Sequence, residues 1–146
     1  MPPLPKPPEH PIARELVFTA KAIREAFERV LEDAGGSLGT WIVLSALTHD
    51  GPFSQRDLAG HAQLEGATIT HHVDRLERAG LVRRVVDPVD RRVRRIEATA
   101  AGKELRARLV EAAIGFEQEL LTDIAPAEIA ALRGVLARLS ANLPQR

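Results

Sequence analysis

Residues 54–97, SQRDLAGHAQLEGATITHHVDRLERAGLVRRVVDPVDRRVRRIE, restrict the fold more than any other part of this chain. Two short stretches with helical spacing precede two short β-branched stretches, and an Asp/Arg-rich turn divides the second pair. Ser54 suits an N-cap, because its hydroxyl can accept from backbone N–H groups two or three residues on; Asp57 suits the positive start of a helix. Leu58 and Ala59 face inward on that helix. A turn near residues 62–64 leads to a second helix over 66–79, which Gly80 ends. LVRRVV alternates poorly but is short and β-branched. RVRRIE has the period of a strand, with Val93 and Arg95 on one side and Arg94 and Ile96 on the other. Between them DPVD, with Pro88, reads as a turn. Helix, turn, helix, strand, turn, strand is the order of a winged helix-turn-helix. The expected class is mainly α with a small β-hairpin wing.

The flanks read as helices. Ile12, Leu16, Ala20, Ile23, Phe27, Val30 and Ala34 recur at steps of three and four, and Gly35 and Gly36 stop that run. A helix over 38–48 carries Trp41, Leu44 and Leu47 before HDGPF breaks the chain. Thr99 caps a long helix to about residue 124, with the stripe Leu105, Leu109, Ala112, Phe116, Leu120 and Ile124. Pro126 stands where a first-turn proline is tolerated. Ile129, Leu132, Leu136, Leu139 and Leu143 then have the spacing of a short coiled-coil seam. Six of the ten prolines fall within residues 1–11, so that arm is expected to be extended or disordered.

Composition removes several classes of function. The 146 residues suit one compact domain, or a small domain with dimerisation helices. With no cysteine, disulfides, thiolate metal sites and thiol redox sensing are excluded. No apolar run approaches the roughly 18 residues of a membrane span and no basic-then-apolar leader opens the chain, so a cytoplasmic protein is expected, with no membrane partner. His49, His61, His71 and His72 match no common zinc spacing, and adjacent helical histidines diverge by about 100°. Neither a metal nor a cofactor is expected. No nucleophile–base arrangement, phosphate-cradling glycine loop or carboxylate pair stands out, which argues against an enzyme.

Net charge is zero, yet its distribution is uneven. Residues 54–95 carry nine Arg against six acidic residues, whereas residues 1–53 and 96–146 are each slightly acidic. The positive segment coincides with the helix-turn-helix pattern, which points to nucleic acid. On a helical wheel, Ile69, Val73 and Leu76 of the 66–79 helix share one arc, which must be buried. Ala67, His71, Asp74 and Arg78 lie roughly opposite. Such helices contact bases near their N-terminal end, so Ala67, Thr68, Thr70, His71 and Arg75 are the expected readers. Thr methyls can touch thymine methyls, and Arg75 can fork onto guanine or grip a phosphate. His72 points to the flank of the buried arc and reads as a packed histidine. Ser54, Gln55 and Gln63 suit phosphate contacts at helix ends. Arg91, Arg92, Arg94 and Arg95 crowd the hairpin, where Asp87 and Asp90 can orient them toward a narrow, electronegative minor groove.

LAGHAQLEGATITHHVDRLERAGLVRR followed by DPVDRRVRRIEATAAGKEL resembles the multiple antibiotic resistance regulator (MarR) family of bacterial transcription factors. The resemblance implies a winged-helix homodimer on a pseudo-palindromic operator, generally repressing nearby genes. It matches Asp90 and Arg92 to the wing-tip pair, with Arg92 in the minor groove. Thr99 and Gly102 match the start of the long dimerisation helix, although Ala98 stands where the family usually has Leu. The first and last two helices would form the dimer interface, through Ile12, Leu16, Phe116, Leu120, Leu132, Leu136, Leu139 and Leu143. The implied organisation is a Pro-rich arm at 1–11, dimerisation helices at 12–36 and 99–146, and a DNA-binding lobe at 37–98. Many relatives hold small aromatic acids or phenols in a cleft beside that lobe. Here Arg14, Phe18 and Trp41, with residues near Leu109 and Phe116, could line it, though Phe18 and Trp41, taken singly, read rather as core. The family's peroxide-sensing cysteine is missing. A competing reading is an architectural or protein-interaction module without operator specificity, which the zero net charge fits.

Overall fold

The first helix, α1 (Ile12–Asp33), ends as a glycine in the left-handed region dictates. Gly35 has φ +96°, its N–H bonds the Glu32 carbonyl at 2.9 Å, and the next N–H, of Gly36, returns to Leu31 O at 2.9 Å. That is a Schellman closure. The computed structural model describes residues 1, 5–47, 53–62 and 66–144. Ser37 opens α2 (Leu38–Ala46), with its hydroxyl accepting from Thr40 N. The helix stops two residues short of residue 48, the expected end.

A short strand, β1 (Phe53–Ser54), runs directly into α3 (Gln55–Ala62). Ser54 Oγ accepts from Asp57 N at 3.1 Å, so the expected N-cap is in place. Then come α4 (Gly66–Arg78), β2 (Val82–Val86) and β3 (Arg94–Ala98). The sheet has three antiparallel strands in the order β1-β3-β2, not the two of a bare hairpin. Phe53 lies opposite Ile96 and Ser54 opposite Arg95. Two residues are too few to show a period, so β1 left no sequence signal.

The core of the winged lobe gathers Leu58, Ile69, Val73, Leu76, Val82 and Ile96 with Val43, Leu44 and Leu47 of α2 and its end. Phe27 of α1 meets Trp41 edge-on, with ring centroids 5.8 Å apart. The start of α5 (Ala100–Leu120) is locked onto the end of α4. Gly80 turns with φ +72°; Thr99 N donates to Leu81 O, Thr99 Oγ1 donates to Gly80 O, and Gly102 N donates to Thr99 Oγ1. A Cβ at Gly102 would overlap the Leu81 carbonyl oxygen. Leu105 and Leu109 join the core, while Arg106 donates to the carbonyl of Leu47, beyond the end of α2.

The chain divides within α5 into two compact units, Met1–Ile114 and Gly115–Arg146. The second holds the end of α5 and α6 (Pro126–Ala141). Two expected positions move out of their helices. Ile124 follows the end of α5, where Asp123 adopts φ 60° and breaks the run, and Leu143 follows Asn142, the C-cap of α6. Pro126 occupies the first turn, and Ala125 N donates to Glu128 Oε2 at 2.8 Å. None of the described helices is long and apolar enough to cross a membrane.

Candidate nucleic-acid interface

The buried side of α4 is the one the wheel predicts. Ile69, Val73 and Leu76 are buried. Ala67, Thr68, His71 and Arg75 are exposed along the opposite side. His72 is part-buried against Gly39, where a Cβ would come within 2.6 Å of its Nδ1. Burial, then the nearby His71 and Arg75 side chains, hold its imidazole below the ordinary histidine pKa. It is therefore a packed neutral side chain at neutral pH.

Thr70 and Gln55 are less free than the wheel suggests. Gln55 Nε2 donates to Thr70 Oγ1, and Thr70 Oγ1 donates back to Gly66 O at 2.9 Å. Asp74, expected on the open side, instead faces β2 and pairs with Arg84 at 2.5 Å. Arg84 also pairs with Glu77 at 2.7 Å, and its backbone N–H donates to the same carboxylate at 3.2 Å. This explains the poor alternation of LVRRVV. Arg84 stands opposite the buried Ile96, on the same side of the sheet as Val82, where an apolar residue would ordinarily lie. A cation there needs partners, and two carboxylates one turn apart on α4 supply them. Burial works against its charge, but the bonds to Asp74 and Glu77 raise its pKa above the usual arginine value. Arg84 is a residue the wheel alone missed; the Asp74/Glu77 spacing ahead of a basic strand was the available signal.

The wing tip is ordered by its two aspartates. Asp87 Oδ1 accepts from Val89 N and Asp90 N at 2.8 and 2.9 Å, and its other oxygen takes Arg95 Nε. The two backbone bonds, then Arg95, hold the Asp87 carboxyl below the usual carboxylate pKa. Asp90 Oδ1 accepts from Arg92 N and Nε, and Oδ2 from Nη2 at 3.4 Å. The Arg92 side chain is 91% exposed, so the pair aims a guanidinium outward. Arg91 and Arg94 flank it, also exposed, with Arg94 Nη1 on the Arg91 carbonyl at 3.0 Å. Gln63 and His49 lie outside the described residues. Among the described residues no three His, Asp or Glu side chains converge as metal ligands would.

The three expected ligand-cleft residues do not come together in one chain. Arg14 lies over the Phe18 ring, 5.3 Å from its centroid, in a groove with Glu9, His10, Pro11, Glu15 and Thr19. Trp41 does not line that groove and packs on Phe27 instead. A larger groove, about 600 Å³, opens elsewhere, between α1 at Arg24, Glu28 and Glu32, the start of α2, and α4 at Thr68, His72 and Arg75.

A profile of the MarR family matches residues 37–93, from the cap of α2 through the wing turn to the residue before β3. The regulator YsmB of Bacillus subtilis (strain 168), an uncharacterised helix-turn-helix-type protein, is 31% identical over 121 residues, covering 82% of this chain and 80% of its own. The chain belongs to the MarR family. It is a transcriptional regulator with a DNA-binding winged helix. A second B. subtilis regulator, YdgJ, is also 31% identical, over 101 residues, 69% of this chain but only 62% of YdgJ. Among solved structures, Bordetella bronchiseptica BpsR, whose DNA binding is regulated by 6-hydroxynicotinic acid, superposes with a TM-score of 0.82 at 24% identity, over 96% of this chain and 99% of that one. Staphylococcus aureus MepR in its DNA complex also gives 0.82, at 23% identity, over 92% of this chain and all of that one. At these identities the two structures speak to the fold, and this MarR-family chain shares it from α1 to α6.

Proposed function

We propose that this regulator acts as a homodimer on a pseudo-palindromic operator, repressing nearby genes, and that a small aromatic acid releases it. The observation that carries the reading is the pairing of two exposed surfaces on one lobe. One is the Thr68, His71 and Arg75 side of α4; the other is Arg92, held outward by Asp90. A helix of this shape fits the major groove, and a fixed guanidinium suits a narrow minor groove. Ser54, Ala67, Arg91 and Arg94 lie around them as backbone and sugar contacts. A two-fold pair would set its α4 helices about one helical turn apart, roughly 10 base pairs, so the operator should be an inverted repeat of about 15–20 base pairs.

The groove between α1, α2 and α4 is the favoured effector site, because Thr68 and Arg75 belong both to its lining and to the reading face. An aromatic acid there would meet Arg24, Arg75 and the His72 ring. It would weaken DNA binding only as far as it prefers the form whose reading heads are wrongly spaced. BpsR, similar in fold and with DNA binding regulated by 6-hydroxynicotinic acid, supports an aromatic acid as the class of effector.

Selection of bound fragments from random and genomic DNA tests the reading. An enriched inverted repeat is expected. Binding with no enriched sequence would favour an architectural module instead. Titrating aromatic acids into the selected complex should then lower its affinity, and a panel with no effect would remove the effector.

A further inference from the structure

The network under the wing has a consequence for how bases are read. Arg84 touches α4 through Asp74 and Glu77 and reaches α3 through Gln55 Oε1, 3.5 Å from its Nη2. The other end of the same Gln55 amide holds Thr70, on the first turns of α4. One cation on the wing strand thus joins three elements and ends on a side chain at the reading end of α4. Only 23% of the Arg84 side chain is exposed, on the inner side of the sheet, so it is ill placed to meet a phosphate itself. An arginine at a position that favours an aliphatic residue costs desolvation, and its planar fork is suited to holding two partners at a fixed angle.

We infer that Arg84 is a positioning residue for sequence reading: it fixes the wing, α3 and α4 as one rigid head and, through Asp74 and the Gln55–Thr70 link, sets the angle at which the Thr68, His71 and Arg75 side of α4 meets the base edges, without touching DNA. The inference rests on the operator reading above. It separates sequence preference from phosphate affinity: a direct phosphate contact would change the salt slope, and a simple brace would change stability alone.

The test uses the full chain with Arg84→Met, which keeps the aliphatic stem, and measures binding to the selected operator and to a scrambled duplex between about 50 and 200 mM salt. The operator-to-scrambled affinity ratio should fall about tenfold, the scale of one lost base contact. The slope of log affinity against log salt should stay the same. A slope shallower by about 0.9 per lobe would mean that Arg84 neutralises a phosphate, and the inference falls. A lower melting temperature with an unchanged ratio would reduce Arg84 to a brace, and it falls again. Asp74→Asn should reproduce the loss of discrimination, and the double variant should be no worse than the worse single one; additive losses would mean independent roles and count against it. If Arg84→Met does not fold, Asp74→Asn decides alone, an unchanged ratio overturning the inference. A wild-type protein that selects no sequence would sink the operator reading and this inference with it. A wild type that selects, beside an Arg84→Met variant that selects equally well, would sink this inference only.

Discussion

A single exposed ion pair contributes little to stability, roughly 0–1 kcal/mol, so the Asp90–Arg92 pair is there for direction. Arg92→Ala should therefore leave the melting temperature and the proposed dimer unchanged while weakening binding to the proposed operator by tenfold or more, about 1.4 kcal/mol. Fluorescence anisotropy beside sedimentation would measure both, and an unaltered affinity would remove Arg92 from the groove. His72 behaves differently, because its pKa is held down by burial and by His71 and Arg75. Below about pH 6.5 the unfolded chain takes up a proton at this position that the folded chain resists. The contribution is complete above that pH and is lost as pH falls through the lower folded value. Denaturant midpoints between pH 7.5 and 5 should drop further in the wild type than in His72→Gln; parallel curves would show that another group titrates. Both histidines were legible in sequence, one as exposed and one as packed, because a helical wheel needs only the period. That Thr70 and Gln55 hold one another was not, since fifteen residues separate them.

At the scale of elements, the joints carry the specificity of the fold. Gly102 and Thr99 fasten the start of α5 to the turn after α4, and a methyl group at Gly102 would meet backbone, which has nowhere to retreat. Gly102→Ala should cost about 1–3 kcal/mol or more, seen as a lower denaturant midpoint. An unchanged midpoint would mean that α5 can shift freely. Ser54→Ala removes the cap of α3 and should cost about 1 kcal/mol. The boundaries of α1, α4 and the wing followed from glycine, capping residues and hydrophobic period. β1 did not, because its two residues become a strand only when β3 lies alongside. Nor did the inward turn of Arg84, which is stable only once Asp74 and Glu77 face the same sheet.

For the whole molecule, the telling feature is large apolar side chains that stay exposed among the described residues. α6 buries none of its side chains, although it carries Leu132, Val135 and Leu136, all exposed. Ile12, Leu16, Val17 and Phe18 of α1, and Leu120 after the last buried turn of α5, are exposed as well. A 16-residue helix gains little from intrinsic propensity in water and relies on packing an apolar face. Under the proposed homodimer, a second copy supplies this packing. Leu136→Asp should give a monomer by sedimentation and abolish tight operator binding; a monomer that still gripped the full inverted repeat would contradict the dimeric reading.

The residue pattern alone determined the kinds of element, their order and the side of α4 that is buried, since helical and strand periods are local properties of the chain. It also placed Asp87 and Asp90 at a turn where they could orient arginines, because the partners lie within a few residues. Only the tertiary structure decided the third strand, the separation of Trp41 from Arg14 and Phe18, and the inward course of Arg84. Each depends on residues that meet after the sheet and helices have packed, and no short-range period encodes such a meeting.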